Sequence, residues 1–91
     1  MGPDESRAIS SYEGFYSAVV DKAVRVNPGS AEWRARIENT AQANGHLVQV
    51  YYEKARADWQ SCADGKITED FAGDLIRGEL AICAWNIERL A

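Results

Sequence analysis

Two prolines, two cysteines, one methionine and one histidine are all that 91 residues contain of those types. Each scarcity excludes something. With so little proline, and with 46% hydrophobic against 26% charged residues, the chain has the make-up of a globular protein and not of a disordered or fibrous one. Two cysteines cannot build the disulfide framework of a small secreted domain. No apolar run approaches the roughly 20 residues of a membrane span. Gly-x-Ser-x-Gly, a phosphate-cradling glycine loop and Cys-x-x-Cys are all missing, so no catalytic residue and no cofactor is assigned. Basic residues are in deficit too. Ten against fourteen acids give a net charge of -4, which argues against direct binding of nucleic acid by phosphate neutralisation and is too mild for a convincing DNA mimic.

The N-terminal MGPDESRAIS has neither the basic nor the apolar part of a signal peptide, so the expected address is the cytoplasm, with no membrane association. Gly2 and Ser6 meet the myristoylation pattern only loosely, and Pro3 with the neighbouring acids makes a poor context. A chain of this length is one domain, residues 1–91, and buries only about 60–65% of the surface its unfolded form exposes. Partners can complete so thin a core.

Apolar residues at Ile9, Tyr12, Tyr16, Val19, Ala23 and Val26 recur every three or four positions, which predicts a helix over about 4–26, entered through Pro3. Asn27-Pro28-Gly29-Ser30 breaks it, and Ser30 is a suitable N-cap for the next helix. In that segment Trp33, Ile37, Ala41, Asn44, Val48, Tyr51, Ala55, Trp59 and Cys62 lie within about 40° of one line. The continuous phase predicts a single helix over about 31–63, bent at Gly45, with a break near Asn44-Gly45 as the alternative. Gly65 reads as a left-handed helix end and Thr68 as the cap of a last helix over about 69–90, with Ile67 as a hydrophobic staple. The expected fold is a small all-α antiparallel bundle of three helices, or four if the long one breaks.

Residues 63–73, ADGKITEDFAG, resemble the middle of a calcium loop in wording only. With Gly65 at the sixth position, the required oxygen ligands fall on Gln60, Cys62, Asp64 and Phe71. One carboxylate stands where a calcium loop needs several, ending in a bidentate glutamate. The stretch is read as a capped turn, and no metal is assigned. His46 has no acid three or four residues away to make a metal pair. Cys62 and Cys83 would sit roughly 22 Å apart along a helical hairpin, too far for a disulfide, and are read as small core residues. Asp21 with Arg25 and Glu32 with Arg36 have the spacing and orientation of stabilising helix pairs.

The last helix carries two apolar stripes. Ala72, Ile76, Leu80, Cys83, Ile87 and Leu90 make one; Phe71, Leu75, Gly78, Ile82 and Trp85 make another, roughly 140° around the helix. A surface helix in a small domain has one such stripe, and a second needs a second neighbour. A compact four-helix bundle could bury both. A 33-residue second helix of roughly 50 Å would instead leave its ends, with Trp33 and Trp59, short of neighbours. Its back, with Ala35, Asn39, Gln42, His46, Val50 and Ala57, is sparsely charged.

The expectation is a non-catalytic protein–protein interaction module: an acidic adaptor, regulator or inhibitor that occupies a partner's surface and itself forms a homodimer. Phe71, Leu75, Ile82, Trp85, Trp33 and Trp59 are the expected interface, with Glu69, Asp70 and Asp74 as an acidic rim. Acids in a first turn also simply complement the helix dipole. The alternative is an inhibitor of a nucleic-acid-binding protein, such as a phage-encoded anti-defence protein, whose acids stand in for phosphates.

Overall fold

A computed structural model describes residues 9–91. The described residues form four α-helices and no strand: α1 Tyr12–Val24, α2 Ala31–Ala43, α3 Gly45–Ala63 and α4 Glu69–Leu90. The fold is a small all-α bundle in which α4 packs against each of the other three helices.

Local chemistry sets most of the boundaries. The hydroxyls of Ser30 and Thr68 each accept a first-turn amide, from Trp33 at 3.0 Å and from Phe71 at 3.1 Å. α3 ends in a Schellman motif: Lys66 N–H donates to the Ser61 carbonyl at 2.9 Å, Gly65 N–H to that of Cys62 at 3.0 Å, and Gly65 takes φ +76°. Only a residue without a Cβ adopts that angle without strain. The 63–73 stretch is thus a helix stop followed by a helix start.

The expected start of the first helix is corrected. Residues 9–11 are turn and bend, and α1 begins at Tyr12, where Ser11 caps it by accepting the Gly14 amide at 3.0 Å. The helix also ends at Val24, two residues before the expected Val26. Entry through Pro3 and the segment 4–8 lie outside the described residues, as do Gly2 and Ser6.

The expected continuous second helix gives way to its alternative, a break at Asn44-Gly45. Asn44, at φ -116° and ψ 33°, leaves helical geometry and separates α2 from α3. Its side-chain amide donates to the Thr40 carbonyl at 2.8 Å, while its own carbonyl accepts the Leu47 amide at 2.9 Å. One residue therefore satisfies groups on both sides of the break. The phase survives: Ile37, Ala41, Val48 and Ala55 are buried, and Trp33, Asn44, Tyr51, Trp59 and Cys62 are half-buried. Gly45 keeps a negative φ, and a Cβ there would stand 4.0 Å from the Tyr12 hydroxyl, so the bend comes from Asn44 and not from glycine freedom.

Phe15, Val19, Ile37, Val48, Ile76, Cys83 and Ile87 are the largest fully enclosed side chains. Tyr12, Phe15 and Tyr52 join α1 to α3, with Tyr12 and Tyr52 edge to face at 5.5 Å, a geometry worth about 0.5–1.5 kcal/mol beyond the buried area. Asp21 with Arg25 and Glu32 with Arg36 do not form ion pairs; among the described residues the ion pairs are Glu53 with Arg56 and Asp74 with Arg77. Arg36 donates instead to the main-chain carbonyl of Ala91 and lies over the Trp33 ring at 5.9 Å.

Candidate protein-contact face

α4 presents opposite surfaces on its two sides. Ala72, Gly73, Ile76, Cys83, Ala84 and Ile87 are buried, and Ile76, Cys83, Ala84 and Ile87 join the core cluster formed with α1, α2 and α3. Leu80 packs at the edge of that core, whereas Leu90, expected in the same stripe, is exposed. On the far side Phe71, Ile82 and Trp85 are 52%, 51% and 53% exposed, and Leu75 is half-buried. The break at Asn44 yields four helices, yet the second stripe stays outside the bundle. Single exposed apolar residues are ordinary, but a contiguous row is not.

Gly78 lies in the middle of the row. It is exposed, and nothing stands within 4 Å of where its Cβ would be. Glycine inside a helix costs about 1 kcal/mol relative to alanine, and packing within the monomer does not require it. At the C-terminal end of the row the Arg89 guanidinium covers one face of Trp85, 4.5 Å from the ring centroid. At the other end Glu69, Asp70 and Asp74 are all exposed, and Asp74 is held by Arg77 one turn along. The uncommitted acidic charge at the rim is that of Glu69 and Asp70.

Trp33 and Trp59 do not join this face. With the helix broken, α2 and α3 span about 20 and 28 Å instead of 50, and both indoles are half-buried against the core. Trp33 Nε1 donates to the Ala23 carbonyl at 3.0 Å and ties α2 to α1. Trp59 Nε1 is buried with no partner. This contrast makes a stability prediction. Trp33→Phe forfeits a hydrogen bond and is expected to cost about 1 kcal/mol more than Trp59→Phe, which removes an unsatisfied donor. Urea unfolding of the two variants checks it, and equal losses would contradict the assignment.

Sequence reasoning missed an acid pair. Asp58 on α3 and Glu79 on α4 face each other, and Asp58 Oδ2 and Glu79 Oε2 are buried without a donor. Burial pushes the Glu79 carboxyl up to about 7; the neighbouring Asp58 carboxyl adds to the rise, and Lys54 opposes it. The raised value favours the protonated, uncharged form of Glu79 at the α3–α4 seam. They stand 21 positions apart in sequence, so only the folded arrangement reveals them.

Little else suggests chemistry. A groove of about 320 Å³ between α1 and α2 is lined by Tyr16, Ser17, Asp21, Arg34 and Glu38 among others; His46, on α3, is exposed and outside it. Burial, with Tyr12 and Glu38 nearby, raises the Tyr16 phenol, which keeps it protonated and unsuited to act as a base. Cys62 and Cys83 are free thiols, and burial pushes Cys83 up to about 11, which disfavours its reactive thiolate. Among the described residues no three histidine, cysteine or acidic side chains gather as a metal set, and no helix is long and apolar enough to cross a membrane. Comparison with known proteins adds no relative: no family model matches the chain, and no curated protein or solved structure is similar to it.

Proposed function

We propose that this protein is a non-catalytic protein-binding module whose contact face is the outer row of α4. The observation that carries the reading is that Phe71, Ile82 and Trp85 stand about half exposed in one row on a helix whose other side buries Ile76, Cys83 and Ile87. Aromatic and large aliphatic side chains at the centre of a face supply most of the energy of an interface, and the acids at its N-terminal end speed encounter with basic surfaces. Such a protein acts as an adaptor, regulator or inhibitor by covering a partner's surface, and its free thiols suit a reducing compartment such as the cytoplasm.

Photo-crosslinking tests the reading. A photoreactive side chain at position 82 is expected to label a protein that position 46, exposed on α3, does not label. The labelled protein, once purified, should bind the native chain and bind Trp85→Ala at least about tenfold more weakly. Equal labelling from both positions, or none from position 82, sinks it.

A further inference from the structure

We infer that a second copy of this chain covers the α4 face, with the two α4 helices antiparallel and their two-fold axis near residue 80. This rests on the reading of that face as a contact surface and names its occupant. Phe71, Leu75, Gly78, Ile82 and Trp85 alternate by four and three residues, the spacing of a coiled-coil seam. Arg89 continues the spacing at the C-terminal end.

Size and charge both select the antiparallel arrangement. It sets Gly78 against the partner's Ile82, so the empty space over the glycine receives the side chain that protrudes beside it. Leu75 meets the partner's Trp85, and Arg89 reaches the partner's Phe71 together with the exposed Glu69 and Asp70 of that first turn. Arg89 already lies over a ring within its own chain, that of Trp85, so contact with Phe71 repeats a geometry its side chain adopts. Opposed helix dipoles add to the preference. A parallel pair would place Gly78 on Gly78 and Arg89 on Arg89, leaving a gap and a like-charge contact in the seam. The antiparallel pair has two like-charge approaches: Asp74 to the partner's Glu88 on the solvated rim, where Asp74 already holds Arg77, and Glu79 to the partner's Glu79 beside the axis, where each Glu79 carboxyl is turned toward Asp58 of its own chain.

Three half-exposed side chains, two of them aromatic, offer on the order of 300 Å², at the low end of the patches that mark contact sites. Doubled across a two-fold axis, that is the apolar centre of an interface at the small end of the range, with a dissociation constant on the order of micromolar.

The test measures solution mass for the full chain across about a thousandfold span of concentration around that value, together with thiol crosslinking. In a Cys62→Ser background, Phe71→Cys chains mixed with Arg89→Cys chains are expected to crosslink at least about tenfold faster than either variant alone. Ile82→Lys is expected to be monomeric throughout and as stable as the native chain. Faster crosslinking of Phe71→Cys with itself overturns the antiparallel arrangement. A native chain that stays monomeric, with Ile82→Lys as stable as native, overturns the second copy and leaves the contact face standing for another protein. If Ile82→Lys unfolds the monomer, the contact face itself is wrong and the dimer falls with it.

Discussion

Phe15→Ala is expected to remove about 3–5 kcal/mol of folding stability, while Trp85→Ala removes less than about 1 kcal/mol. The two aromatic side chains differ in what they touch. Phe15 has no exposed surface, belongs to the central cluster and packs on Tyr52 with ring centroids 6.1 Å apart. Truncation there leaves a cavity that rigid helices fill only in part. Trp85 is 53% exposed, and its described partner is the Arg89 guanidinium, a contact worth about 0.5–1 kcal/mol at an exposed site. A domain of this length has about 5–14 kcal/mol of stability in all. The first substitution therefore consumes a large share of the total and lowers the melting temperature by well over about 10 °C, and the second is a small perturbation. Urea unfolding below the concentration at which chains associate checks both, with an unchanged denaturant slope confirming that compactness is the same. A loss at Trp85 comparable to that at Phe15 would place Trp85 in the monomer's own core and remove the basis for a contact face.

What could be read without coordinates follows the range of the chemistry involved. Ser30, Thr68 and Gly65 act on groups within three to five residues of themselves, so their roles are visible in a short window of sequence. Ser11 works in the same way as Ser30 but escaped notice, because the apolar period already begins at Ile9 and drew the helix back past its cap. The break at Asn44 is of another kind. A bend that spends one residue outside helical geometry keeps the buried line from Trp33 to Cys62 in phase, so periodicity is blind to it. The break falls at Asn44-Gly45, the alternative site, and the signal in its favour is an asparagine placed to bond the Thr40 carbonyl ahead of a glycine. From that one error came the misplacement of Trp33 and Trp59, because the ends of a 50 Å rod would be bare and the ends of two shorter helices are not.

The outer row of α4 was legible for the opposite reason. A helix fixes the angular separation of Phe71, Ile82 and Trp85 from Ile76, Cys83 and Ile87 whatever the tertiary arrangement, and only one of the two sides can face a given core. Gly78 could be placed in that row but not interpreted there. Its meaning depends on the open space over it. Asp58 and Glu79 lie beyond any local rule, since their relation exists only where α3 and α4 pack.

That pair carries the second large expectation: the domain loses stability as pH rises from about 4.5 to about 7, and Glu79→Gln abolishes this component. The sign follows from proton counting. Glu79 titrates near 4.5 in an unfolded chain and near 7 in the folded one, so between those values the folded state holds the extra proton. Stability from this group is greatest below about 4.5, falls through the interval and is flat above it. The full shift would convert to about 3 kcal/mol, but Glu79 keeps some contact with solvent and Lys54 offsets part of the repulsion, which reduces the figure to about 1–2 kcal/mol. Glutamine keeps the shape, carries no charge at any pH and can donate its amide to the Asp58 carboxylate. At pH 8 the variant should melt about 5 °C or more above the native chain, and near pH 4.5 the two should coincide. An advantage of equal size at both values would mean that the change acts through packing and not through the Glu79 proton. Glu79 faces Asp58 across the α3–α4 seam, on the helix that bears the contact face, so its deprotonation is expected to loosen the seam behind Phe71, Ile82 and Trp85. If the antiparallel dimer forms, its dissociation constant should weaken over the same interval in the native chain and stay level in Glu79→Gln, a comparison that sedimentation at two pH values decides.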